Sequence, residues 1–285
     1  MSGSGALTKI GTGTLSLSGT NLYTGITTIS NGVLQLIDPA SLNSSPLVTL
    51  LTVTATLDPS GRADDTFTIT NGQTLTGIGT VNGILTNSGT LSPGLGLTTG
   101  TITVNNSATL LGNTIMKIDK AGGTNDELVS FNVLTYGGTL TVTILNTPLA
   151  TNEVYQLFNA SGGYFGAFNA IVPASPGSGL AWDTNSLAVD GTLRVTVGPV
   201  TGPSTNASIT KVTLSGTNLL VHGTNNNVPS SSFHYVVLTT PNITNALSNW
   251  IPVATNPFNP DGSFDYTNPI VPGTPRQFID IKAVP

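Results

Sequence analysis

The sequence predicts an all-β protein, a parallel β-solenoid followed by a small β-sandwich. Short runs in which Thr, Val, Leu and Ile alternate are interrupted by Gly and Asn, a pattern typical of strands and tight corners. Only 7% of the 285 residues are charged, against roughly 25% in an average soluble domain. No segment shows a sustained helical period. With a mean hydropathy of +0.20, the chain has enough apolar residues to bury a core.

The composition argues against several classes of function. The net charge is −5, and the eight Lys and Arg residues are scattered, which argues against a nucleic-acid partner. Without cysteine, the chain forms neither disulfides nor thiolate metal sites. No apolar run approaches the roughly 18 residues of a transmembrane helix. Residues 1–4 are predicted to be start and linker residues, and the polar, cysteine-free composition favours a secreted bacterial protein, either a fragment or a mature region.

The stretch from Leu7 onward predicts the first coil of the solenoid. Large apolar residues occupy mostly odd positions as far as residue 19, and hydroxyl residues mostly even ones. A turn at 18–21 leads to a strand at 26–30, and Asn-Gly at 31–32 leads to a strand at 33–37. Three short strands in about 30 residues form one coil, which pairs with the next coil about 4.8 Å away.

Later segments repeat this pattern with varying loop lengths, at 65–94, 100–119 and 136–146. A β-sandwich would also give short strands, but the many Gly and Asn corners favour a solenoid over residues 5–197. Aromatic residues cluster in its last part, about 150–197, and predict a cap over one open end.

Residues 198–208 are rich in Pro, Gly and Ser and are predicted to be a linker. Residues 209–285 then form the second domain. Six strands predict an immunoglobulin-like or fibronectin-III-like sandwich. They are placed at 209–216, 218–223, 233–240, 249–255, 262–267 and 276–283.

Residues 11–36, "GTGTLSLSGTNLYTGITTISNGVLQL", resemble the autotransporter-associated β-strand repeat. The matching positions are Asn21, Tyr23, Gly25, Thr27, Gly32 and Leu34. Segments 125–145 and 168–197 are similar to the closing part of such passenger regions, and the C-terminal part resembles a terminal module of large secreted proteins of environmental bacteria. The resemblance implies a right-handed parallel β-solenoid passenger, exported to the cell surface or beyond.

The chain offers few candidates for catalysis. His222 and His234 fall on predicted strands of the sandwich, and no Gly-x-Ser-x-Gly motif is present. We therefore predict no catalytic residues and no enzyme. Phe233, Tyr235 and Trp250 are the candidates for stacking on a carbohydrate, although a sandwich core also requires such residues.

Acidic residues suggest one candidate metal site. Asp58, Asp64 and Asp65 lie close together in the sequence, and hard oxygen ligands suit Ca²⁺. A solvated loop at a solenoid corner explains the same residues and is the preferred interpretation. No other cofactor is predicted.

The leading functional hypothesis is a non-enzymatic extracellular structural protein: a stalk, fibre subunit or adhesin passenger. The first strand edge, with Leu7, Ile10, Leu15 and Leu17, is the predicted self-assembly surface, giving a homo-oligomer or an end-to-end filament. Alternatives are a module binding cell-surface glycans, a β-helix enzyme acting on polysaccharides, and an ice-binding solenoid with ranks of threonine.

Overall fold

A computed structural model describes residues 1–198, 207–225, 234–246, 249–270, 273 and 276–284. The chain divides into two compact units, Met1–Pro199 and Val200–Pro285. The described residues form 32 β-strands and no α-helix, which confirms the predicted all-β class. Most of the predicted linker, 198–208, lies outside the described residues.

The first unit contains 26 strands. They are β1 (Ser2–Gly3), β2 (Leu7–Lys9), β3 (Thr14–Ser18), β4 (Leu22–Tyr23), β5 (Thr27–Ile29), β6 (Gly32–Ile37), β7 (Leu47–Leu50), β8 (Ala55–Gly61), β9 (Thr66–Ile69), β10 (Thr74–Gly77), β11 (Thr80–Val81), β12 (Ile84–Asn87), β13 (Thr90–Pro93), β14 (Thr101–Val104), β15 (Ala108–Leu110), β16 (Asn113–Asp119), β17 (Thr124–Asn125), β18 (Glu127–Ser130), β19 (Leu134–Tyr136), β20 (Thr139–Leu145), β21 (Val154–Gln156), β22 (Phe158–Ala160), β23 (Tyr164–Gly166), β24 (Ala170–Val172), β25 (Leu180–Asp183) and β26 (Thr192–Val197).

These strands form a parallel β-solenoid with three faces, as the sequence predicts. The first face orders β2, β5, β7, β10, β13, β16, β20 and β24; the second orders β3, β6, β8, β11, β14, β18 and β22; the third orders β9, β12, β15, β19 and β23. Neighbouring strands on each face are parallel, so each coil pairs with the coils before and after it. A short hairpin interrupts one coil, where β17 pairs antiparallel with β16.

The core consists of apolar columns that run along the stack. On the second face Leu34, Leu57, Val81 and Val104 are in register, and all four are fully buried. Alternation places small hydroxyl residues outside. The third face presents Thr68, Thr86, Thr109 and Thr135 in one outward row. The alternating sequence thus produces a solenoid with a dry interior and a nearly uncharged exterior.

One glycine shows how closely the coils approach. Gly77 at the end of β10 has a φ of 127°. A Cβ built on it would lie 2.0 Å from the carbonyl oxygen of Leu50 in the preceding coil. Only glycine fits this corner, because both its backbone conformation and the contact exclude a side chain.

The two ends of the solenoid differ. At the first coil, β2 pairs only with β5 and β3 only with β6 among the strands that the structure describes. At the other end, the Tyr164 hydroxyl accepts a hydrogen bond from the Ala160 N–H at 3.1 Å and donates to the Phe158 carbonyl at 3.3 Å. The Phe158 N–H donates to the Gly191 carbonyl at 3.1 Å. These bonds satisfy the outer edge of β22.

A three-stranded antiparallel sheet, ordered β21, β26, β25, accompanies this closed end. Leu193 and Val195 on β26 are buried in the same apolar cluster as the solenoid columns. Phe158, Tyr164 and Phe168 surround Tyr136, with ring centroids 4.8–6.0 Å apart. These aromatic residues pack among the last coils, and the cap over about 150–197 stays a prediction.

The second unit contains β27 (Ser208–Ser215), β28 (Asn218–Thr224), β29 (His234–Thr240), β30 (Ile251–Pro257), β31 (Ser263–Pro269) and β32 (Phe278–Val284). Each lies within a few residues of a predicted strand. They form two antiparallel sheets, ordered β27, β28, β31 and β30, β29, β32. Residues from both sheets share one core, including Val221, Phe264, Tyr235 and Ile281. The immunoglobulin-like or fibronectin-III-like type remains a prediction.

Candidate functional site

The aromatic residues predicted to bind a ligand occupy different environments. Phe233 lies outside the described residues. Tyr235 is buried, and its hydroxyl donates to the Asp265 carbonyl at 2.7 Å. Its ring packs 4.8 Å from that of Phe264. Burial raises the pKa of Tyr235 above its ordinary value. Tyr235 is therefore part of the core rather than of a surface platform.

Trp250 is half-buried beside a surface groove of about 580 Å³. Its indole N–H donates to the Asn245 carbonyl at 3.0 Å, which fixes the ring. The other lining residues are Val236, Leu238, Pro252, Thr255, Lys282 and Val284. An aromatic ring, an apolar floor and a few polar groups at the margin are the features of a small-molecule site.

The three predicted calcium ligands do not converge. Asp58 is buried, and amide groups of Asn82 and Gln35 donate to its two oxygens at 3.1 and 3.4 Å. Asp64 pairs instead with Arg62, whose guanidinium holds the pKa of that carboxyl below its usual range. Asp65 accepts from the Asn106 amide at 3.4 Å. Among the described residues, no three His, Asp or Glu side chains are grouped closely enough to hold a metal ion.

The histidines do not assemble a hydrolytic triad. His222 Nδ1 lies 2.8 Å from a carboxylate oxygen of Asp265, and both side chains are exposed. In the part of the chain that the structure describes, neither histidine ring bonds to a Ser or Thr hydroxyl.

The four predicted edge residues lie in the first coil, where β2 and β3 each pair on one side. Leu7 and Leu15 are half-buried and Leu17 is buried, whereas Ile10 is 72% exposed. The Lys9 ammonium donates to the carbonyls of Ile10, Gly11 and Asn31 at 2.7–3.0 Å. Lys9 thereby ties the first coil to the second.

A site that sequence reasoning missed lies inside the solenoid. The Lys117 ammonium on β16 is 2.7 Å from Oδ2 of Asp126, with side-chain exposures of 4% and 0%. The ammonium also donates to the carbonyl of Pro93. The Gly100 N–H donates to Asp126 Oδ1 at 2.9 Å, and the Lys117 N–H donates to Oδ2 at 2.8 Å.

This buried corner joins two neighbouring coils, since β13 and β14 of one coil pair with β16 and β18 of the next. Pro93 ends β13, Gly100 precedes β14, and Asp126 precedes β18. Burial raises the pKa of Asp126 despite the hydrogen bonds from Lys117. The sequence analysis did not identify this pair. The available signal was a lysine within the apolar run "TIMKID", in a chain with only eight Lys and Arg residues.

Comparison with known proteins gives one match. Residues 7–36 match the family model of the passenger-associated-transport-repeat. No curated protein and no solved structure matches the chain. No helix among the described residues is long and apolar enough to cross a membrane. The matched segment spans β2 to β6, and these strands stack in register, with Leu15 opposite Leu34 and Leu17 opposite Leu36. Residues 7–36 therefore match a passenger-associated-transport-repeat and are folded as the opening coils of a parallel β-solenoid.

Proposed function

We propose that the chain is a non-enzymatic structural part of an autotransporter-type passenger, exported to the bacterial cell surface or beyond. One observation carries the proposal: the segment that matches the passenger repeat forms the first coils of a solenoid whose later coils continue the same apolar columns. The role is that of a stalk, fibre subunit or adhesin body.

The construction of the solenoid supports this role. Each coil contacts mainly its neighbours, so an elongated body needs no large central core. The described faces carry rows of uncharged hydroxyl residues, such as Thr68, Thr86, Thr109 and Thr135. The edges of β2 and β3 that no described strand pairs with are the proposed contact with other coils or other copies.

Surface display tests the proposal. The full chain is fused to an export signal and an outer-membrane translocator, and protease is added to intact cells. We expect the chain to be accessible on intact cells and the solenoid to resist digestion. Retention inside the cell, or turnover of polysaccharide substrates by the purified chain, would contradict a structural passenger.

A second candidate function is glycan binding by the C-terminal unit. The groove beside Trp250 favours it, because an indole face can stack on a sugar ring while Thr255 and Lys282 provide polar contacts. A glycan array followed by fluorescence titration tests this function. W250A should abolish binding, whereas W182A, which alters the other tryptophan, should leave it unchanged.

A further inference from the structure

We propose that Lys117 and Asp126 condense to form an intramolecular amide bond between Nζ and Cγ. The inference concerns a covalent modification of the chain and is independent of the proposed function. It rests on the contact between the two side chains, their burial and the hydrogen-bond partners around them.

The contact places the amine next to the carboxyl group. Nζ of Lys117 is 2.7 Å from Asp126 Oδ2. That oxygen is bonded directly to Cγ, the carbon that Nζ would attack. The side chains are held inside the solenoid by neighbouring coils, with exposures of 4% and 0%. Such positioning replaces an encounter in solution by an intramolecular step, for which effective concentrations are very high.

Burial also favours the neutral, reactive form of the Asp126 carboxyl group. An ammonium and a carboxylate are both costly to bury, whereas a hydrogen-bonded amine and carboxylic acid cost much less. The raised pKa of Asp126 agrees with this preference. Proton transfer from Nζ to Oδ2 converts the ion pair into a neutral nucleophile and a neutral electrophile.

The reaction then balances without another reactant. The lone pair of Nζ attacks Cγ, the C–N bond forms, and negative charge develops on Oδ1, where the Gly100 N–H already donates at 2.9 Å. A second proton passes from Nζ to the Oδ2 hydroxyl. The Cγ–Oδ2 bond breaks and one water molecule leaves. One cation and one anion disappear together, so the net charge is unchanged.

The surroundings match the product. The amide N–H that remains on Nζ keeps the Pro93 carbonyl as its acceptor, and the new carbonyl keeps the Gly100 N–H as its donor. The backbone N–H of Lys117 donates to Oδ2 at 2.8 Å before the reaction. Because Oδ2 leaves with the water, this N–H shares Oδ1 with the Gly100 N–H in the product. Two buried charges are replaced by one neutral group, and exclusion of water opposes hydrolysis.

A partly exposed ion pair in the same chain provides a matched comparison. Lys120 Nζ lies 2.6 Å from a carboxylate oxygen of Glu153, but the side chains are 31% and 22% exposed. Water stabilises both ions there. Distance alone therefore predicts an amide link at both Lys117 and Lys120. Distance combined with burial predicts a link at Lys117 alone.

Intact-mass spectrometry of the purified full chain under denaturing conditions tests the proposal. We expect a mass lower than that of the sequence by one water. Trypsin requires a free lysine side chain and should not cleave after Lys117. The digest should contain a branched peptide that joins residues 63–120 to residues 121–194.

Variants locate the link. K117R and D126A should restore the full sequence mass, whereas K120R should still lack one water. D126N should lose ammonia and give the same branched peptide. The full sequence mass in the native chain after prolonged warming would overturn the proposal. Loss of water with normal cleavage after Lys117 would overturn it as well, because that result indicates a succinimide elsewhere.

Discussion

The Tyr136 hydroxyl donates a hydrogen bond to the backbone carbonyl of Leu187 at 2.9 Å. Tyr136 belongs to β19 in the body of the solenoid, and Leu187 precedes β26 in the closing sheet. Both residues are buried, and burial raises the pKa of Tyr136 far above its ordinary value, so the phenol remains a donor. One side chain thus connects the coils to the segment that closes them.

Removing this hydroxyl should loosen the closed end. We expect Y136F to lower the free energy of unfolding by about 1–3 kcal/mol, because the buried Leu187 carbonyl loses its donor. The ring contacts with Phe158 and Phe168 are retained in this variant. Urea denaturation measures the change. An unchanged midpoint would show that the hydroxyl does not support the closing segment.

The apolar columns should dominate stability. Leu85 on β12 is fully buried, whereas its neighbour Thr86 points outward. L85A should cost about 2–5 kcal/mol by leaving a cavity between coils. T86A should change stability by no more than about 0.5 kcal/mol. Equal effects of the two variants in thermal or urea unfolding would contradict the inward and outward assignment.

Neighbouring coils approach each other closely at the corners, so replacing a corner glycine should lower the stability of the fold. G77A places a methyl group 2.0 Å from the Leu50 carbonyl oxygen and in an unfavourable φ region. We expect a loss of about 3 kcal/mol or more. The control is G72A, where φ is also positive but no atom lies within 4 Å, so that only strain of about 1 kcal/mol is expected. Calorimetry of the two variants gives the comparison.

The carboxyl group of Asp190, next to β26, should make the free energy of unfolding depend on pH in the acid range. The side-chain and backbone hydrogen bonds from Thr192, together with Arg194, hold the pKa of Asp190 below its ordinary value. A lowered pKa in the folded state gives stability above the unfolded value of about 4, and this stability is lost as the pH falls through the folded value.

The variant D190N lacks this titration. We expect the native chain to be more stable than D190N near neutral pH and the difference to shrink as the pH falls below about 4. Urea denaturation at a series of pH values measures the difference. A constant gap across the series would show that Asp190 has the same pKa in the folded and unfolded chain.

Alternation in the sequence predicts much of the architecture. Because Leu15 and Leu17, like Leu34 and Leu36, stand two residues apart, their inward orientation follows from a period of two, and the structure pairs them in register. The corners follow from Gly and Asn. The alternation does not predict which coil a strand joins, because loops differ in length, as the hairpin that contains β17 shows.

The sites were harder to predict for a different reason. Asp126 follows a Gly-rich turn and would be expected to be solvated, but the hairpin folds it inward beside Lys117. The sequence alone does not show that Tyr235 is buried. In the structure its side chain packs in the core that the two sheets share. Burial of a polar residue depends on partners distant in sequence, such as Gly100 for Asp126.

The difference between the two ends also bears on how such a molecule changes length during evolution. Tyr164 closes the last strand of the second face through bonds specific to that coil. Each intermediate coil pairs its strands with the coils before and after it, so duplication or deletion of a coil between β7 and β18 would leave both this closure and the first coil intact. Gene segments that encode whole coils are therefore interchangeable units, and the length of the body can vary while its ends remain the same.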